Sequence, residues 1–196
     1  MLGGTFDPPH IAHLTAAAAV ADAFELDRVL FVPTGQPWQK SHYSSAEDRF
    51  LMTSLATTGD PRFATSRVEI DRKGPTYTLD TMITLRAFHG ADTELFFIAG
   101  ADAVLQLSTW KGIAELGEYC ELIAVTRPGF ELKRFETIVG WPRLHTLEMK
   151  PMDVSATDIR RRVRERRSVE GLVPEPVLRY IEERGLYLER AEAVDA

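Results

Sequence analysis

The first segment of the chain that could do chemistry runs from Gly3 to His13 and reads GGTFDPPHIAH. Its two glycines follow a short apolar strand and let a ligand approach the backbone closely, and Pro8-Pro9 favours extended backbone before a helix that begins near His10. The amino end of that helix offers free N–H groups and a positive dipole end, which together form an anion site. His10 and His13 share one helical face, from which imidazoles can donate hydrogen bonds to phosphate oxygens. The segment therefore predicts phosphate binding.

Two other interpretations of this segment stay open. Gly-Gly turns join many strands to helices without binding a ligand, and the two histidines would then be surface residues. A zinc pair is the second alternative, but His10 and His13 lack the i, i+4 spacing of the helical zinc motif, and no third ligand follows them.

A second cluster, VSATDIR, covers residues 154–160. Ser155 is typical of a helix N-cap, and Asp158 follows it in a capping-box-like arrangement. The hydroxyls of Ser155 and Thr157, the free amides and Arg160 one turn later would form a second anion pocket. Because Ser-x-x-Asp also begins many helices that bind nothing, this cluster by itself indicates only a helix start.

Five arginines follow this cluster and suggest nucleic-acid binding as a hypothesis. No aromatic side chains alternate with them to form a stacking platform, so a solvated helix face with favourable charge at a helix C-terminus explains them better. The chain carries a net charge of −6 from 23 basic and 29 acidic residues, which is not the basic footprint of a nucleic-acid-binding protein. We therefore expect no nucleic-acid partner. The five are Arg161, Arg162, Arg164, Arg166 and Arg167.

The composition is that of a globular protein with a buried core. Of 196 residues, 44% are hydrophobic and 27% are charged. The single cysteine, Cys120, cannot form an internal disulfide, which favours a reducing compartment. The apolar stretches are far shorter than the roughly 20 residues of a bilayer helix, and MLGG at the start does not resemble a signal peptide. We expect a cytoplasmic protein with no membrane partner.

The elements that must position these clusters follow from the hydrophobic pattern. Apolar runs rich in β-branched residues alternate with segments of helical period, which predicts parallel strands joined by right-handed crossovers. The expected fold class is α/β: a doubly wound, mainly parallel, Rossmann-like sheet, with ligands beyond the carboxyl ends of its strands. Residues 1–150 are the predicted core, and residues 151–196 a small C-terminal helical cap packed on it as one compact unit. The predicted strands are Met1–Gly3, Arg28–Pro33, Phe63–Ile70, Glu94–Ala99, Glu121–Thr126 and His145–Met149, and the predicted helices are Ile11–Phe24, Ser45–Thr57, Thr78–His89, Ala101–Leu116, Ser155–Arg167 and Glu175–Arg184.

As complete strings, the two clusters resemble motifs of one superfamily. The first resembles the Gly-x-Phe-Asp-Pro-x-His-x-Gly-His signature of the nucleotidyltransferase α/β-phosphodiesterases, and the second their Ser-x-Thr-x-x-Arg element. The resemblance implies that His10 and His13 cradle the α- and β-phosphates of ATP and that the second cluster binds the β- and γ-phosphates. Ala12 stands where the superfamily has glycine, so its methyl group is expected to crowd adenine or ribose. The residues implied in ATP binding are Gly3, Gly4, Thr5, Phe6, His10, His13, Lys40, Gly100, Asp102, Arg127, Ser155, Thr157 and Arg160.

Further segments make the chain similar to the bacterial nicotinate-nucleotide adenylyltransferases. They include GPTYTLDT from Gly74, GAD from Gly100 and RPG from Arg127, and the resemblance extends from Gly3 to about Tyr187. It implies that Gly100 and Asp102 meet the nucleotide ribose and that Lys40 and Arg127 complete the clamp on the phosphates. From the residues alone, Asp102 is equally well explained as a favourable charge at a helix start.

The same resemblance implies a site for nicotinate mononucleotide. Thr78, a plausible N-cap, and the backbone near Trp110 would hold the nicotinate carboxylate, and the Trp110 indole, about two helical turns after Asp102, would stack on the pyridine ring. By the same resemblance Lys111 would belong to this site, where relatives often carry an aromatic residue. From composition alone, Trp110 is as well explained as a core residue.

The implied reaction is adenylyl transfer from ATP to nicotinate mononucleotide in NAD biosynthesis, by direct in-line attack without a covalent intermediate. The catalytic residues would be His10, His13 and Arg160, and Mg²⁺ would arrive on the ATP phosphates with mostly water ligands, without a protein metal ligand. Two alternatives remain: a pantetheine-phosphate adenylyltransferase, and a non-catalytic ATP-binding or sensing protein. A homo-oligomer is also possible.

Overall fold

A computed structural model describes residues 1–36, 44–129 and 143–188. Within them, six strands form one sheet of order β3-β2-β1-β4-β5-β6, and every neighbouring pair is parallel. The predicted fold class is confirmed. The strand order reverses between β1 and β4, which places a switch point at the carboxyl ends of these two central strands. The strands are β1 (Leu2–Gly4), β2 (Val29–Pro33), β3 (Phe63–Thr65), β4 (Phe96–Gly100), β5 (Glu121–Thr126) and β6 (Leu144–Glu148).

Helices cover both faces of the sheet. In α1, Ala17 and Ala21 are buried against the sheet with Leu14 and Phe24 beside them, as the apolar stripe of this segment predicts. The described helices are α1 (Ile11–Ala23), α2 (Ala46–Ala56), α3 (Thr78–His89), α4 (Ala101–Val104), α5 (Ile113–Tyr119), α6 (Ala156–Arg164) and α7 (Glu175–Arg184), with short 3₁₀ turns at Thr57–Gly59 and Leu107–Thr109. None of these is long and apolar enough to cross a membrane.

The predicted strand Phe63–Ile70 is too long, because β3 ends at Thr65. Beyond that point the chain turns away from the sheet edge, and the backbone N–H of Asp71 donates to the carbonyl of Arg67. This turn carries the buried Glu69 carboxylate to α3, where it accepts a hydrogen bond of 2.9 Å from the Thr81 hydroxyl. Residues 66–70 therefore do not extend the strand, and Glu69 bonds to α3 instead.

The single helix predicted for Ala101–Leu116 is wrong, because the segment is broken into α4, a 3₁₀ turn and α5. Gly112 adopts φ +72, a left-handed conformation that glycine tolerates and other residues rarely adopt. An added Cβ there would lie 2.3 Å from Cδ2 of Leu79 on α3. The left-handed backbone and the contact with Leu79 therefore both favour glycine at this break.

The C-terminal helices pack on α2. Ile159 of α6 and Val177 and Ile181 of α7 are buried in one cluster with Met52 and Ala56 of α2. Near this cluster, the first N–H of α1, that of Ile11, donates to the carbonyl of Leu172 at 3.0 Å. The C-terminal helices thus contact the elements that carry the first cluster, while the domain division at residue 150 stays a prediction.

Candidate active site

The turn after β1 is folded tightly around Phe6. Phe6 is buried at φ +50, and its ring lies 5.7 Å from that of Phe31 and 5.1 Å from that of His13. An added Cβ on Gly4 would come within 3.1 Å of the Phe6 ring, so any larger residue there would crowd the ring. The Gly4 carbonyl accepts hydrogen bonds from both the N–H and the hydroxyl of Thr34, which fixes the turn to the end of β2.

The two histidines stack on each other at the start of α1. His10 is the N-cap, with extended backbone, and its ring lies 3.7 Å from that of His13, centroid to centroid. The His10 N–H donates to Nδ1 of His13 at 3.2 Å, so the neutral His13 ring carries its proton on Nε2. Nδ1 of His10 is buried and has no hydrogen-bond partner among the described residues. The pair therefore retains polar capacity that a ligand could satisfy.

Both imidazoles are neutral at pH 7. Burial lowers the pKa of His10 to about 4, and burial together with the proximity of His10 lowers the pKa of His13 to about 3. A neutral imidazole can still donate one N–H hydrogen bond to a phosphate oxygen. The two histidines thus offer neutral hydrogen-bond donors, and the positive charge of the site must come from other residues.

That positive charge comes from the second cluster. Ser155 is the N-cap of α6, and its hydroxyl accepts from the N–H of Asp158 at 3.2 Å, as predicted. The Arg160 guanidinium donates to the carbonyl of Asp7 at 2.6 Å and to the Thr157 hydroxyl at 3.3 Å. The beginning of α6 therefore lies against the turn after β1, and the two clusters converge.

Most of the arginines beyond Arg160 do not belong to this site. Arg161 and Arg162 both pair with Asp158, the latter through Nε at 2.6 Å. Arg167 pairs with Glu165 at 3.2 Å on an exposed surface. These pairs fit the interpretation of a solvated helix face.

A buried arginine that sequence reasoning missed holds the loops of the site together. Arg49 of α2 is 1% exposed, and its guanidinium donates to the carbonyls of Thr5 at 3.0 Å, Gly35 at 2.9 Å and Ser44 at 3.3 Å. One planar fork thus binds the turn after β1, the turn after β2 and the chain before α2. Its only sequence signal is that it shares a helical face with Met52 and Ala56.

The residues predicted to hold nicotinate mononucleotide lie on two segments that the structure brings together. Nζ of Lys111 lies 4.4 Å above the Tyr77 ring, and the Gly112 turn packs on Leu79, so residues 77–79 and 110–112 are neighbours. The predicted N-cap at Thr78 is wrong: Tyr77 is the N-cap, without a side-chain cap bond in the described structure, and Thr78 is the first helical residue.

Trp110 lies in an extended backbone conformation after the 3₁₀ turn, so it is not delivered by a continuous helix as predicted. Its ring is 5.8 Å from that of Phe97, and the side chain packs partly against the core. Part of the indole therefore packs as a core residue does. The stacking of the indole on a pyridine ring stays a prediction.

The remaining predicted residues fall at the carboxyl ends of strands. Gly100 ends β4, beside β1, and a Cβ there would meet nothing within 4 Å, so the space in front of it is open. Asp102 lies in the first turn of α4, and Arg127 follows β5 directly. Lys40 lies outside the described residues.

A separate cleft of about 1160 Å³ lies away from this site. Met1, Arg28 and Leu95 line it, and each of them precedes a strand. It is therefore at the amino ends of the strands, whereas ligands of doubly wound sheets sit beyond the carboxyl ends.

The parallel sheet with its switch point, the glycine turn, the stacked histidines and the converging start of α6 define a nucleotide-binding α/β protein. The family model described as Cytidylyltransferase-like matches residues 1–162. The chain is 50% identical over 190 residues to a protein of Corynebacterium kroppenstedtii and 52% identical over 190 residues to one of Streptomyces coelicolor, both named "Probable nicotinate-nucleotide adenylyltransferase". These alignments cover 96% and 95% of this chain, and 90% and 98% of the relatives.

Solved structures show the same fold. The nicotinic acid mononucleotide adenylyltransferase of Plasmodium falciparum complexed with NaAD superposes with a TM-score of 0.78 at 18% identity, covering 95% of each chain. A putative nicotinate-nucleotide adenylyltransferase from Vibrio parahaemolyticus gives a TM-score of 0.68 at 16% identity, covering 96% of this chain and 94% of that one. The chain belongs to the cytidylyltransferase-like family and, within it, to the nicotinate-nucleotide adenylyltransferases.

Proposed function

We propose that this chain transfers the adenylyl group of ATP to nicotinate mononucleotide, forming nicotinate adenine dinucleotide and pyrophosphate as a step of NAD biosynthesis. The observation that carries the proposal is the hydrogen bond from Arg160 to the carbonyl of Asp7, which sets the anion site of α6 against the turn that leads to His10. A polyphosphate chain can then be held at both ends. The names of relatives about 50% identical to this chain support the same activity.

The acceptor phosphate is already an anion, so the reaction needs neither a general base nor a protein nucleophile. Its oxygen attacks the α-phosphorus of ATP in line, and the bond to the bridging oxygen of the leaving pyrophosphate breaks. The chain's task is to hold two anions in line and to stabilise the charge that develops on the α-phosphate and the leaving group.

Neutral histidines suit the α- and β-phosphates in this scheme. Nε2–H of His13 is free to donate because Nδ1 accepts from the backbone of His10. With the pKa of both rings far below 7, they act as hydrogen-bond donors rather than as a proton source. Arg160 supplies a permanent charge for the β- and γ-phosphates, beside the hydroxyls of Ser155 and Thr157. Lys40 and Arg127 are further proposed contacts to phosphate.

The nicotinate end of the acceptor is assigned to the region where α3 begins beside the 110–112 turn. The free amides at the start of α3, near Thr78, favour a carboxylate, and the Lys111 ammonium above Tyr77 adds positive charge. The exposed part of the Trp110 indole offers a face for the pyridine ring. A carboxylate acceptor is favoured by this arrangement over its amide.

Magnesium enters the proposal as part of the substrate, MgATP. Among the described residues, no group of three or more His, Cys, Asp or Glu side chains could hold a metal ion. Mg²⁺ keeps several water ligands when it is carried by phosphates. A cytoplasmic location, a possible homo-oligomer and the absence of nucleic-acid and membrane partners remain predictions.

The test is pyrophosphate release with MgATP and three acceptors offered separately: nicotinate mononucleotide, nicotinamide mononucleotide and phosphopantetheine. We expect the fastest release with nicotinate mononucleotide. Release with phosphopantetheine alone would assign the chain to pantetheine-phosphate adenylyl transfer. ATP binding without release for any acceptor would indicate a binding or sensing protein, and either outcome overturns the proposal.

A further inference from the structure

The carboxylate of Asp7 is buried at the centre of the phosphate-binding turn. It is 2% exposed, and its Oδ1 accepts a hydrogen bond of 2.7 Å from the Tyr187 hydroxyl, while Oδ2 accepts one of 3.3 Å from the Ser44 N–H. The carbonyl of the same residue accepts from Arg160. Asp7 thus links the turn to three distant parts of the chain.

Tyr187 reaches this position because of how α7 ends. Gly185 is left-handed at φ +60, its N–H donates to the carbonyl of Glu182, and the N–H of Leu186 donates to that of Ile181, which is a Schellman motif. The motif directs the chain back toward the core. Tyr187 itself is held at φ +67, a region that residues other than glycine enter at a cost. A strained residue that places its side chain against a binding turn is a candidate for a functional role.

The Tyr187 hydroxyl is suited to act as a hydrogen-bond donor that is held in one position. Burial and the adjacent Asp7 carboxylate raise its pKa, so it stays protonated at neutral pH. Its oxygen also lies 3.7 Å from Sδ of Met52, within the cluster that joins α2 to the C-terminal helices. The ring is therefore held by packing, and the hydroxyl bonds to the Asp7 carboxylate and also interacts with the Ser44 side chain.

We propose that Tyr187 is a positioning residue, whose hydroxyl orients Asp7 and thereby holds the turn between Gly4 and His10 in the geometry that binds the phosphates of ATP. Only the kinetic consequences of this proposal rest on the proposed function. Asp7 and Tyr187 need not touch substrate. Their effect on binding passes through the backbone of the turn that carries the stacked histidines.

The competing explanation is that Tyr187 merely fastens the C-terminal helices to the core. The chain contains a matched control for it, because the Tyr180 hydroxyl of α7 donates to Oδ1 of Asp48 on α2 at 2.8 Å. Both tyrosines join the C-terminal segment to a core carboxylate. Only Tyr187 bonds to the phosphate-binding turn.

The experiment compares Tyr187→Phe with Tyr180→Phe in the full chain, since each change removes a hydroxyl and keeps the ring. We expect Tyr187→Phe to raise the KM for ATP about tenfold, the scale of one lost hydrogen bond to a charged group, with little change in the KM for nicotinate mononucleotide. Tyr180→Phe should leave both KM values near those of the parent chain.

Amide hydrogen exchange of the ligand-free protein gives a readout that does not depend on catalysis. We expect the peptide covering residues 1–14 to exchange faster in Tyr187→Phe and unchanged in Tyr180→Phe. Equal exchange in both variants, whether raised or not, would overturn the positioning role. If the parent chain transferred no adenylyl group, the proposed function would fail, and the exchange comparison would still decide the role of Tyr187.

Discussion

In this site, burial sets the protonation state of single side chains more than pairing with opposite charges does. The stacked imidazoles of His10 and His13 are kept neutral by desolvation, and the guanidinium of Arg160 bonds to a backbone carbonyl and a hydroxyl. A site built in this way offers directed N–H donors before the substrate arrives, and a polyphosphate then brings the negative charge. Preorganised donors of this kind stabilise developing charge without reorganising.

Replacement of His13 by alanine removes one such donor. We expect kcat to fall by roughly 10²–10³, the scale seen when one preorganised donor is lost, while the protein stays folded. The measurement is steady-state pyrophosphate release, with a thermal unfolding curve to confirm folding. His89→Ala, at the exposed end of α3, is the matched control and should keep full activity. Near-normal turnover by His13→Ala would contradict the mechanism.

The buried histidines also predict how stability depends on pH. Their pKa values of about 4 and about 3 lie below the 6.5 of an exposed imidazole, so between these values the unfolded chain binds protons that the folded chain does not. The contribution of these two histidines to the free energy of unfolding is therefore fully present above pH 6.5. It is lost as the pH falls below that value.

From pH 7 to pH 5 we expect a loss of about 2 kcal/mol for each of the two histidines. Urea unfolding at the two pH values measures it, and His13→Gln should show a smaller loss than the parent chain. His89→Gln, which changes an exposed ring, should retain the parent's pH dependence. An unchanged loss in His13→Gln would show that burial does not hold this ring neutral.

At the residue scale, the sequence predicted roles that depend on neighbouring residues in the chain. It did not predict roles that depend on tertiary contacts. Ser155 was predictable as an N-cap because a cap depends on a few consecutive residues. Arg49 was not, because its burial depends on carbonyls at Thr5, Gly35 and Ser44, which only the fold brings together. Charged residues are almost never fully buried without partners, so pattern reasoning places such a residue on the surface.

At the scale of elements, hydrophobic periodicity predicts the bounds of a helix correctly where the packing of that helix follows the same period. The helices Thr78–His89 and Glu175–Arg184 have the predicted bounds, and Gly90 and Gly185 end them. The segment 101–116 fails because its break is imposed from outside: the Gly112 turn must fit against Leu79. This break places Trp110 and Lys111 beside the start of α3, so the proposed acceptor site depends on a feature that the sequence pattern did not show.

Gly112→Ala should disturb this proposed site selectively. The new methyl group would meet Leu79 and would sit on a left-handed backbone, so we expect the KM for nicotinate mononucleotide to rise more than that for ATP and the unfolding free energy to fall by more than about 1 kcal/mol. Steady-state kinetics and urea unfolding measure both effects.

Gly90→Ala separates backbone strain from crowding in this test. Gly90 has φ +90 and nothing within 4 Å of an added Cβ, so its replacement introduces strain alone and should leave both KM values unchanged. If Gly112→Ala and Gly90→Ala had the same kinetic constants, contact between the 110–112 turn and α3 would not shape the proposed acceptor site.

At the scale of the whole molecule, the C-terminal helices complete both the core and the site. Ile159 and Ile181 share a buried cluster with α2, and Arg160 and Tyr187 reach the turn after β1. The sequence predicted helices packed on the sheet, and it could not show that they bond to the turn from residues more than 150 positions away. Because so many contacts cross residue 150, we expect the core and the cap to unfold together.

Ile181→Ala tests this coupling. Ile181 is 1% exposed, so its truncation should lower the free energy of unfolding by about 2–5 kcal/mol, whereas Ile83→Ala, at 37% exposure on α3, should cost far less. The three tryptophans, Trp38, Trp110 and Trp141, all precede residue 151, and Trp110 packs partly against the core. If the molecule unfolds as one unit, the Ile181→Ala midpoint shifts equally by tryptophan fluorescence and by far-ultraviolet circular dichroism. A fluorescence midpoint that stays at the parent value, with a lowered helical transition, would instead establish residues 151–196 as a separately unfolding domain.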